Sequence, residues 1–313
     1  MNLPSKIVSL LGAIDLEGSK VVRRERFIFL CGGAASHDPS APTSLRQLLL
    51  PPAGPILPFP DFTVLLAENA AAAFAKTSFD DLLEHEQVIS AIADAVILIV
   101  ESPGSLCELG AFVKIDEIAK KLIIVMQGKY LRGASFVTKG ALRHHEIKYG
   151  REPLGYEWET DNLGIVHCEE VVKNSLIEGV NKEVTEVAKS NRTSRFENHL
   201  VEHRAFLVLL ACFLLRAPSI TEVDKAVEVM GVSMKQSEIR NLLEVLIFSK
   251  LVYPAQDGKQ TFYVPKVQAA PLRVSFKKGL GVSSLSRVAA EINSELDRFD
   301  VRKLQMFRRH NGS

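Results

Sequence analysis

The chain has 313 residues, 47% of them hydrophobic, and a formal net charge of +1. That length suits two domains with real cores, and the balance excludes a disordered chain or a general electrostatic pull toward nucleic acid or a membrane surface. Cys31, Cys107, Cys168 and Cys212 follow no metal spacing, no apolar run nears the ~18 residues of a membrane span, and no signal peptide opens the chain. A soluble cytoplasmic protein with reduced thiols and no membrane partner is therefore expected.

In chain order, residues 7–16 read as a helix. Residues 27–30 are an apolar strand running into Cys31-Gly32-Gly33-Ala34-Ala35-Ser36. Small residues there let a ligand approach the backbone closely, although turn geometry alone accounts for such a loop equally well. Residues 51–60 hold five prolines and read as a surface loop. A helix is predicted over 62–76. The next opens with Ser78-Phe79-Asp80-Asp81, a capping-box pattern, and runs to Ala93 with Leu82, Val88 or Ile89, and Ile92 as its apolar stripe. Glu86 falls in the middle of that helix, where an acid is either solvated or part of a site. Asp94 ends it, as a cap or as a site residue.

Residues 95–100 read AVILIV, the pattern of a strand buried on both faces of a parallel sheet. The polar loop Glu101-Ser102-Pro103-Gly104-Ser105 follows, and a helix then opens with Glu108 in or near its first turn. An acid there sits by unpaired N–H groups at the positive end of the helix dipole, which favours the carboxylate. It also lies outside the carboxyl end of a strand, where α/β sheets hold ligands. The alternative is that Glu108 only stabilises a helix start. Residues 122–126 are another strand, so the order of strands and helices means βαβ units and a parallel sheet. Residues 127–165 read as irregular, 171–189 as a long amphipathic helix, and polar residues 190–194 as the end of the first domain, set at 1–195.

Residues 196–267 have a different pattern. Helices are expected at 204–215, at 219–230 between the N-cap Ser219 and Gly231, and from a capping box at 233–236 with Ile239, Leu242, Leu243 and Leu246 inward. Two β-rich runs, 251–253 and 261–264, flank Gln256-Asp257-Gly258-Lys259, a hairpin signal. Three helices and a hairpin make a winged helix-turn-helix domain. It carries eight basic and eight acidic residues and so is neutral, whereas sequence-reading DNA modules usually present a basic surface. Lys235, Gln236 and Arg240 would face a groove; the alternative is a protein-contact module. The tail, 268–313, reads as an appended helix over 287–309 with Val288, Ile292, Leu296 and Phe299 on one face. Between Arg273 and Arg309 it has nine basic and four acidic residues, a net of +5. Arg302, Lys303, Arg308 and Arg309 are thus candidates for phosphate contact, against an ordinary solvated helix.

Adjacent side chains of His144-His145-Glu146 point apart in helix and strand alike, so no metal is expected there. His37 and His85 lie near the loop and helix that would frame a cleft, with no partner to name. No Walker, G-x-S-x-G or zinc-ligand pattern is present.

With those residues in view, 27–126 resembles the nucleoside 2-deoxyribosyltransferase family. The likeness is carried by the strand-to-Gly loop at 27–36, the ADAVILIV strand and Gly104-Ser105-Leu106-Cys107-Glu108-Leu109-Gly110-Ala111. It implies a Rossmann-like parallel sheet, with Glu108 as the nucleophile that attacks C1′ of the sugar and Glu86 as a second acid, eight residues before the strand-entry Asp94. The family tends to carry Asp six residues before the nucleophile. Here Ser102 stands there with Glu101 beside it, which points to a substrate other than a free deoxynucleoside.

The whole architecture resembles effector proteins of a class of bacterial retrons. That implies a toxic anti-phage N-glycosidase held in check by a reverse transcriptase and its branched RNA–DNA product, with NAD⁺ as substrate and no cofactor. A nicotinamide that is positively charged in the substrate leaves without protonation, which makes Glu86 a positioning residue more than an acid. Gly32, Gly33, Ser36, Asp94, Glu101, Ser102, Gly104 and Ser105 are the expected substrate contacts. N–H groups of the two loops, near helix starts, suit phosphate or ribose oxygens. A nucleoside deoxyribosyltransferase or nucleotide N-glycosidase, and a non-enzymatic nucleotide-sensing DNA-binding regulator, are the alternatives. Oligomeric state stays open, a homo-oligomer included.

Overall fold

The computed structural model describes residues 3–311 except 37, 39, 49, 51–58, 60, 76, 191–192, 267–268, 280 and 282–283. The proline-rich loop, apart from Phe59, and His37 thus lie outside the described residues. In chain order the elements are α1 (Ser5–Gly12), β1 (Ile14–Val22), β2 (Phe27–Cys31), α2 (Leu45–Leu48), β3 (Thr63–Leu66), α3 (Ala67–Phe74), α4 (Leu82–Ile92), β4 (Ala95–Val100), α5 (Pro103–Phe112), α6 (Asp116–Ala119) and β5 (Leu122–Gln127). Then come α7 (Gly128–Leu131), a π-helical turn (Val137–Leu142), α8 (Arg143–Tyr149), β6 (Leu154–Tyr156), β7 (Glu159–Thr160), β8 (Val166–His167), α9 (Glu170–Ser190) and β9 (Thr193–Arg195). The chain continues with α10 (Val201–Leu215), α11 (Ile220–Val229), α12 (Gln236–Phe248), β10 (Val252–Asp257), β11 (Gln260–Pro265), β12 (Leu272–Phe276), α13 (Leu285–Phe299) and α14 (Val301–Asn311).

These elements form two compact units, and each is interrupted in sequence. One holds Met1–Arg24, Ala73–Val88 and Arg192–Ser313, the other Glu25–Ala72 and Ile89–Asn191.

In the second of these a five-stranded parallel sheet runs in the order β3-β2-β4-β5-β6. Every residue of β2, β4 and β5 is buried, as their unbroken apolar runs require. The core cluster joins Ile28, Leu30, Ile97, Ile99 and Val125 to Leu176, Val180, Val184 and Val187 of α9. The stretch 127–165, read as irregular, holds α7, the π-helical turn, α8 and β7, and two strands of the sheet also differ from the reading of the sequence. Residues 63–66, expected to be helical, are β3, because pairing with β2 gives TVLL a ladder and its β-branched residues suit it. Residues 154–156 fall in the stretch read as irregular, yet pair with β5 as the sheet's far edge.

In the first unit α10, α11 and α12 pack on one another, and the antiparallel hairpin β10–β11 follows. Gly258 takes φ +61° in its two-residue loop, a conformation that favours a residue without Cβ. Ser219 and Glu222 form the reciprocal cap of α11, with Glu222 Oε2 2.8 Å from the Ser219 nitrogen. The box read at 233–236 does not form, since α12 begins only at Gln236 after an N-cap Lys235 without a side-chain bond. At α4, likewise, the cap is Asp81 rather than Ser78: its Oδ1 accepts the Glu84 N–H at 2.8 Å.

The termini depart most from expectation. The helix read over 7–16 ends at Gly12, and Ile14–Val22 is a strand between β12 and β9. The tail holds β12 and two helices rather than one, broken at Asp300 with φ −154° and ψ 74°. An Asp favours the entry to a new helix, and its carbonyl accepts the Lys303 N–H. Val288, Ile292 and Leu296 are buried as expected of their stripe, but Phe299 is exposed at the helix end. Met306 and Phe307 of α14 pack on the cluster of Ala217, Ala255, Phe262 and Val264. Among the described residues no helix is long and apolar enough to cross a membrane.

Candidate active site

The chain passes from β2 to β3 on one side and returns to β4 on the other, so the order reverses between β2 and β4. Such a reversal opens a crevice outside the carboxyl ends of the strands. The loop after β2, with Gly32 and Gly33, and the turn after β4, with Glu101, border it.

Glu101 ties the two together. Its Oε1 accepts N–H bonds from Gly33 at 3.0 Å and Arg46 at 3.3 Å, and its Oε2 accepts one from Leu45 at 2.6 Å. The glycines are needed for this closeness. A Cβ on Gly33 would meet Ser44 at 3.0 Å and Glu101 at 3.1 Å, and one on Gly32 would meet Glu101 Oε1 at 3.1 Å. The small residues read as room for a ligand are thus used by the protein's own carboxylate, and the Gly33 N–H is spent on it. Burial raises the pKa of Glu101, opposed by those backbone N–H groups and the Arg46 charge.

Helix α5 starts earlier than expected. Ser102 is its N-cap and Pro103 its first residue; Ser102 Oγ accepts the Ser105 N–H at 3.2 Å. Ser105 Oγ in turn accepts the N–H of Glu101 at 3.0 Å and of Ser102 at 2.9 Å. These hydroxyls form the cap, and Gly104 is exposed in the first turn. Glu108 is therefore in the second turn, beyond the unpaired N–H groups. The expected dipole effect is replaced by burial, which raises its pKa against the opposing charge of Arg46. Its Oε2 is buried and has no hydrogen-bond partner among the described residues.

Arg46 is the centre of this cluster and was not foreseen. Its side chain is 1% exposed, with Nη2 2.6 Å from Glu68 Oε1 on α3. Nε and Nη1 make no hydrogen bond among the described residues. Glu68 Oε1 also accepts the Ala35 N–H at 2.5 Å. The only hint in the sequence was a charge inside the run Leu45-Arg46-Gln47-Leu48-Leu49-Leu50.

Other expected contacts fall elsewhere. Ser36 closes its own turn, donating from Oγ to the carbonyls of Asp38 at 2.7 Å and Ala41 at 2.8 Å. Asp94 is buried at the opposite end of the sheet, before β4, where its Oδ2 accepts the Phe27 N–H at 2.9 Å and Arg26 lies 3.9 Å from Oδ1. It fastens the entries of β2 and β4, away from the carboxyl ends of the strands that border the crevice, where the expected substrate contact would have to be. Glu86 is buried on α4, within the stretch that belongs to the other unit. His145 is buried, with Nε2 2.9 Å from the Ala119 carbonyl. No cluster of three metal-ligating side chains occurs among the described residues.

A cleft of about 680 Å³ opens beside the cluster, at the ends of β4 and β5, lined by Glu101, Ser102, Leu106, Tyr130 and Trp158 among others. Its volume suits a small organic ligand. Glu108 does not line it: two positions after Leu106 is about 200° around the helix. A second cleft of about 850 Å³ next to it shares Gln127, Lys129 and Trp158.

Of the residues expected to touch a partner, Lys235, Gln236, Arg240, Arg302, Arg308 and Arg309 are exposed. Lys303 is not. It is buried in an ion pair with Glu222, because the turn at Asp300 rotates it inward.

Residues 42–254 match the model of a family described as STM3845 retron effector protein. A protein of Escherichia coli named "Retron Ec86 putative ribosyltransferase/DNA-binding protein" is 33% identical over 125 residues, 37% of this chain and 36% of that one. A second from the same organism, "Retron Ec73 putative ribosyltransferase/DNA-binding protein", is 32% identical over 130 residues, 38% of this chain and 37% of that one. The chain thus matches little more than a third of the length of each of these relatives.

Proposed function

This chain belongs to the STM3845 retron effector family, and from that premise we propose that it cleaves the N-glycosidic bond of NAD⁺, releasing nicotinamide and ADP-ribose. The observation that carries the reading is the carboxylate of Glu108, with one oxygen buried and unpartnered, at the reversal point of the sheet. A carboxylate at C1′ stabilises the oxocarbenium-like transition state and traps the sugar covalently. The C1′–N bond breaks as Glu108 attacks, and its electron pair neutralises the pyridinium nitrogen. Water then attacks C1′, frees ADP-ribose, restores the carboxylate and releases a proton.

Charge favours a cationic leaving group. Glu68, Glu101 and Glu108 share one guanidinium, so the crevice holds more negative than positive charge. That field stabilises the positive charge as it moves from the pyridinium ring onto C1′, and the nicotinamide, which leaves neutral, needs no acid. We place the rest of the dinucleotide in the 680 Å³ cleft, where Tyr130 and Trp158 offer aromatic surface.

The three helices and hairpin of the other unit, read as a winged helix, dock the effector on the retron's reverse transcriptase and its RNA–DNA product. Lys235, Gln236 and Arg240 on one element and Arg302, Arg308 and Arg309 on another supply exposed polar and cationic contacts. The names of the two E. coli relatives support both halves of this reading, ribosyl chemistry and nucleic-acid contact. The word ribosyltransferase in those names also favours a second reading, in which the acceptor is a nucleobase rather than water.

Incubating the full chain with NAD⁺ and, separately, with pairs of deoxynucleosides and free bases tests both. Nicotinamide release without base exchange is expected. Exchange of deoxyribose between bases with NAD⁺ untouched would overturn the NAD⁺ reading and support the second.

A further inference from the structure

In the first unit α14 lies against the hairpin β10–β11, and a groove of about 380 Å³ opens between the helix and β10. Its walls are fastened at both ends. Arg302 Nη1 lies 3.4 Å from Asp257 Oδ2 at the hairpin tip, and its Nε donates to Asp300 Oδ1 at 3.1 Å. At the far end the Asn311 amide donates to the Pro265 carbonyl at 3.1 Å. Between them Met306 and Phe307 seat the helix on the cluster of Ala217, Ala255, Phe262 and Val264.

Arg302, Gln305, Met306, Arg309 and His310 line one wall, at the i, i+3, i+4, i+7 and i+8 spacing of a single helix face. Gln256 and Asp257 of β10 line the other. Asp257 and Asp300 take up the charge of Arg302, but exposed Arg309 and Gln305 make no hydrogen bond or ion pair among the described residues. Gln256 spends its Nε2 on Thr261 Oγ1 at 2.9 Å and keeps its carbonyl oxygen. The exposed ring of His310 is held from behind. Its Nδ1 donates to the Met306 carbonyl at 2.9 Å, and it stacks on Tyr253 with centroids 6.3 Å apart and planes at 28°. The Lys266 ammonium lies 5.8 Å from the same Tyr253 ring, a second cation beside this platform. An uncommitted guanidinium, two amides and a braced aromatic ring thus face one small space.

We propose that this groove takes one unpaired nucleotide of a nucleic-acid strand: the phosphate on Arg309, the base on the His310 ring, the amides of Gln256 and Gln305 at the base edge. The inference rests on reading this unit as the docking unit, and it names what one surface of that unit takes. The volume is at the small end of ligand sites and suits a single nucleotide. A paired base in a duplex has both faces stacked and its pairing edge occupied, so only an unpaired one can use the ring and the amides together. Stacking tolerates any base, so the site reads strandedness more than sequence. A contact carried by stacking also needs few charges, which fits a segment, 196–267, with as many acids as bases.

Fluorescence anisotropy of the full chain tests this, with a short labelled strand of mixed sequence as DNA, as RNA, and as the corresponding DNA duplex. His310→Ala should weaken single-strand binding by about tenfold and leave duplex binding unchanged. His310→Phe keeps a ring and should restore most of the loss, which a merely loosened helix would not do. Arg309→Ser should lower the salt slope of single-strand binding by about 0.7, and Arg309→Lys should preserve it. The arm, DNA or RNA, in which these losses appear identifies the strand that the groove takes. No binding of either strand by the parent, equal losses on strand and duplex, or His310→Phe as weak as His310→Ala overturns the proposal, as does an unaltered slope in Arg309→Ser. The same variants are then measured against the complex of reverse transcriptase and RNA–DNA product. If they bind it as the parent does, the groove is overturned and the docking unit stands. If the parent itself does not bind that complex, the docking reading fails, and the single-strand measurements still decide the groove.

Discussion

The carboxylate of Glu101 at the end of β4 takes the N–H of Leu45 at 2.6 Å, joining residues 56 apart in sequence. Two more N–H groups, of Gly33 and Arg46, converge on the same side chain. Glu101→Ala would strand all three, and a buried donor left unpaired costs about 1–3 kcal/mol. The expected loss of stability is about 3 kcal/mol or more, with cleavage activity falling as well. Glu101→Gln keeps one acceptor oxygen and should fall between. Denaturant unfolding of the three proteins measures this; a cost below about 1 kcal/mol for the alanine variant would mean that the bracket does not hold the crevice together.

Glu108 makes the opposite prediction. Burial raises its folded-state pKa, so the native protein binds that proton more tightly than the unfolded chain does. Its charge therefore costs stability as pH rises from the unfolded value through the folded one. Glu108→Gln should lower nicotinamide release by about a thousandfold or more while the melting temperature at pH 7 stays level or rises. A variant within about tenfold of the parent rate would remove Glu108 from the chemistry.

His85 lies wholly buried in the first unit, its ring 4.8 Å from that of Phe79 and 6.3 Å from that of Phe248. Burial pulls its pKa down to about 4, from 6.5. The unfolded chain then binds the extra proton first, so this contribution to stability is complete above pH 6.5 and is lost as pH falls toward 4. His85→Leu should flatten the fall of melting temperature across that window. An identical acid slope in the variant would show that other groups cause it.

Lys303 and its neighbours in the tail should separate by burial. Lys303→Met leaves Glu222 charged and alone inside the unit, at a cost of about 3–5 kcal/mol. The exposed pair Arg308→Ser and Arg309→Ser should change stability by less than about 0.5 kcal/mol each. If they contact phosphates, together they reduce the salt slope of binding to the RNA–DNA product by about 2. An unchanged slope would leave them as ordinary solvated side chains.

What the sequence revealed followed the range of the forces involved. The interior strands β2, β4 and β5 are continuous apolar runs, α10 is a longer one, α11 has its own cap and the hairpin its own turn, so each is legible locally. Strands β1, β3, β6 and β12 are made strands by their partners more than by their composition. The nucleophile candidate was visible because its motif is contiguous, whereas the Arg46–Glu68 pair joins α2 to α3, 22 residues apart in sequence, with nothing local to signal it. Asp94 was legible as the entry of β4, but its expected place among the substrate contacts came from the resemblance, and that end of the strand is the one remote from the crevice.

The pairing of β1 with β12 has a consequence for synthesis. Gly18 and Ser275 meet across 257 residues of chain. Contacts of such high order are slow to form, and an emerging strand waits with its edge unpaired. Of the two units, the one built from Glu25–Ala72 and Ile89–Asn191 has all its residues before β12 leaves the ribosome, while β1 is still half partnered. The segment carrying Glu108 and Arg46 can thus be complete on a chain whose C-terminal third is unfinished. A translation arrest before residue 272 would release a sheet and its carboxylates without the helices that follow β12.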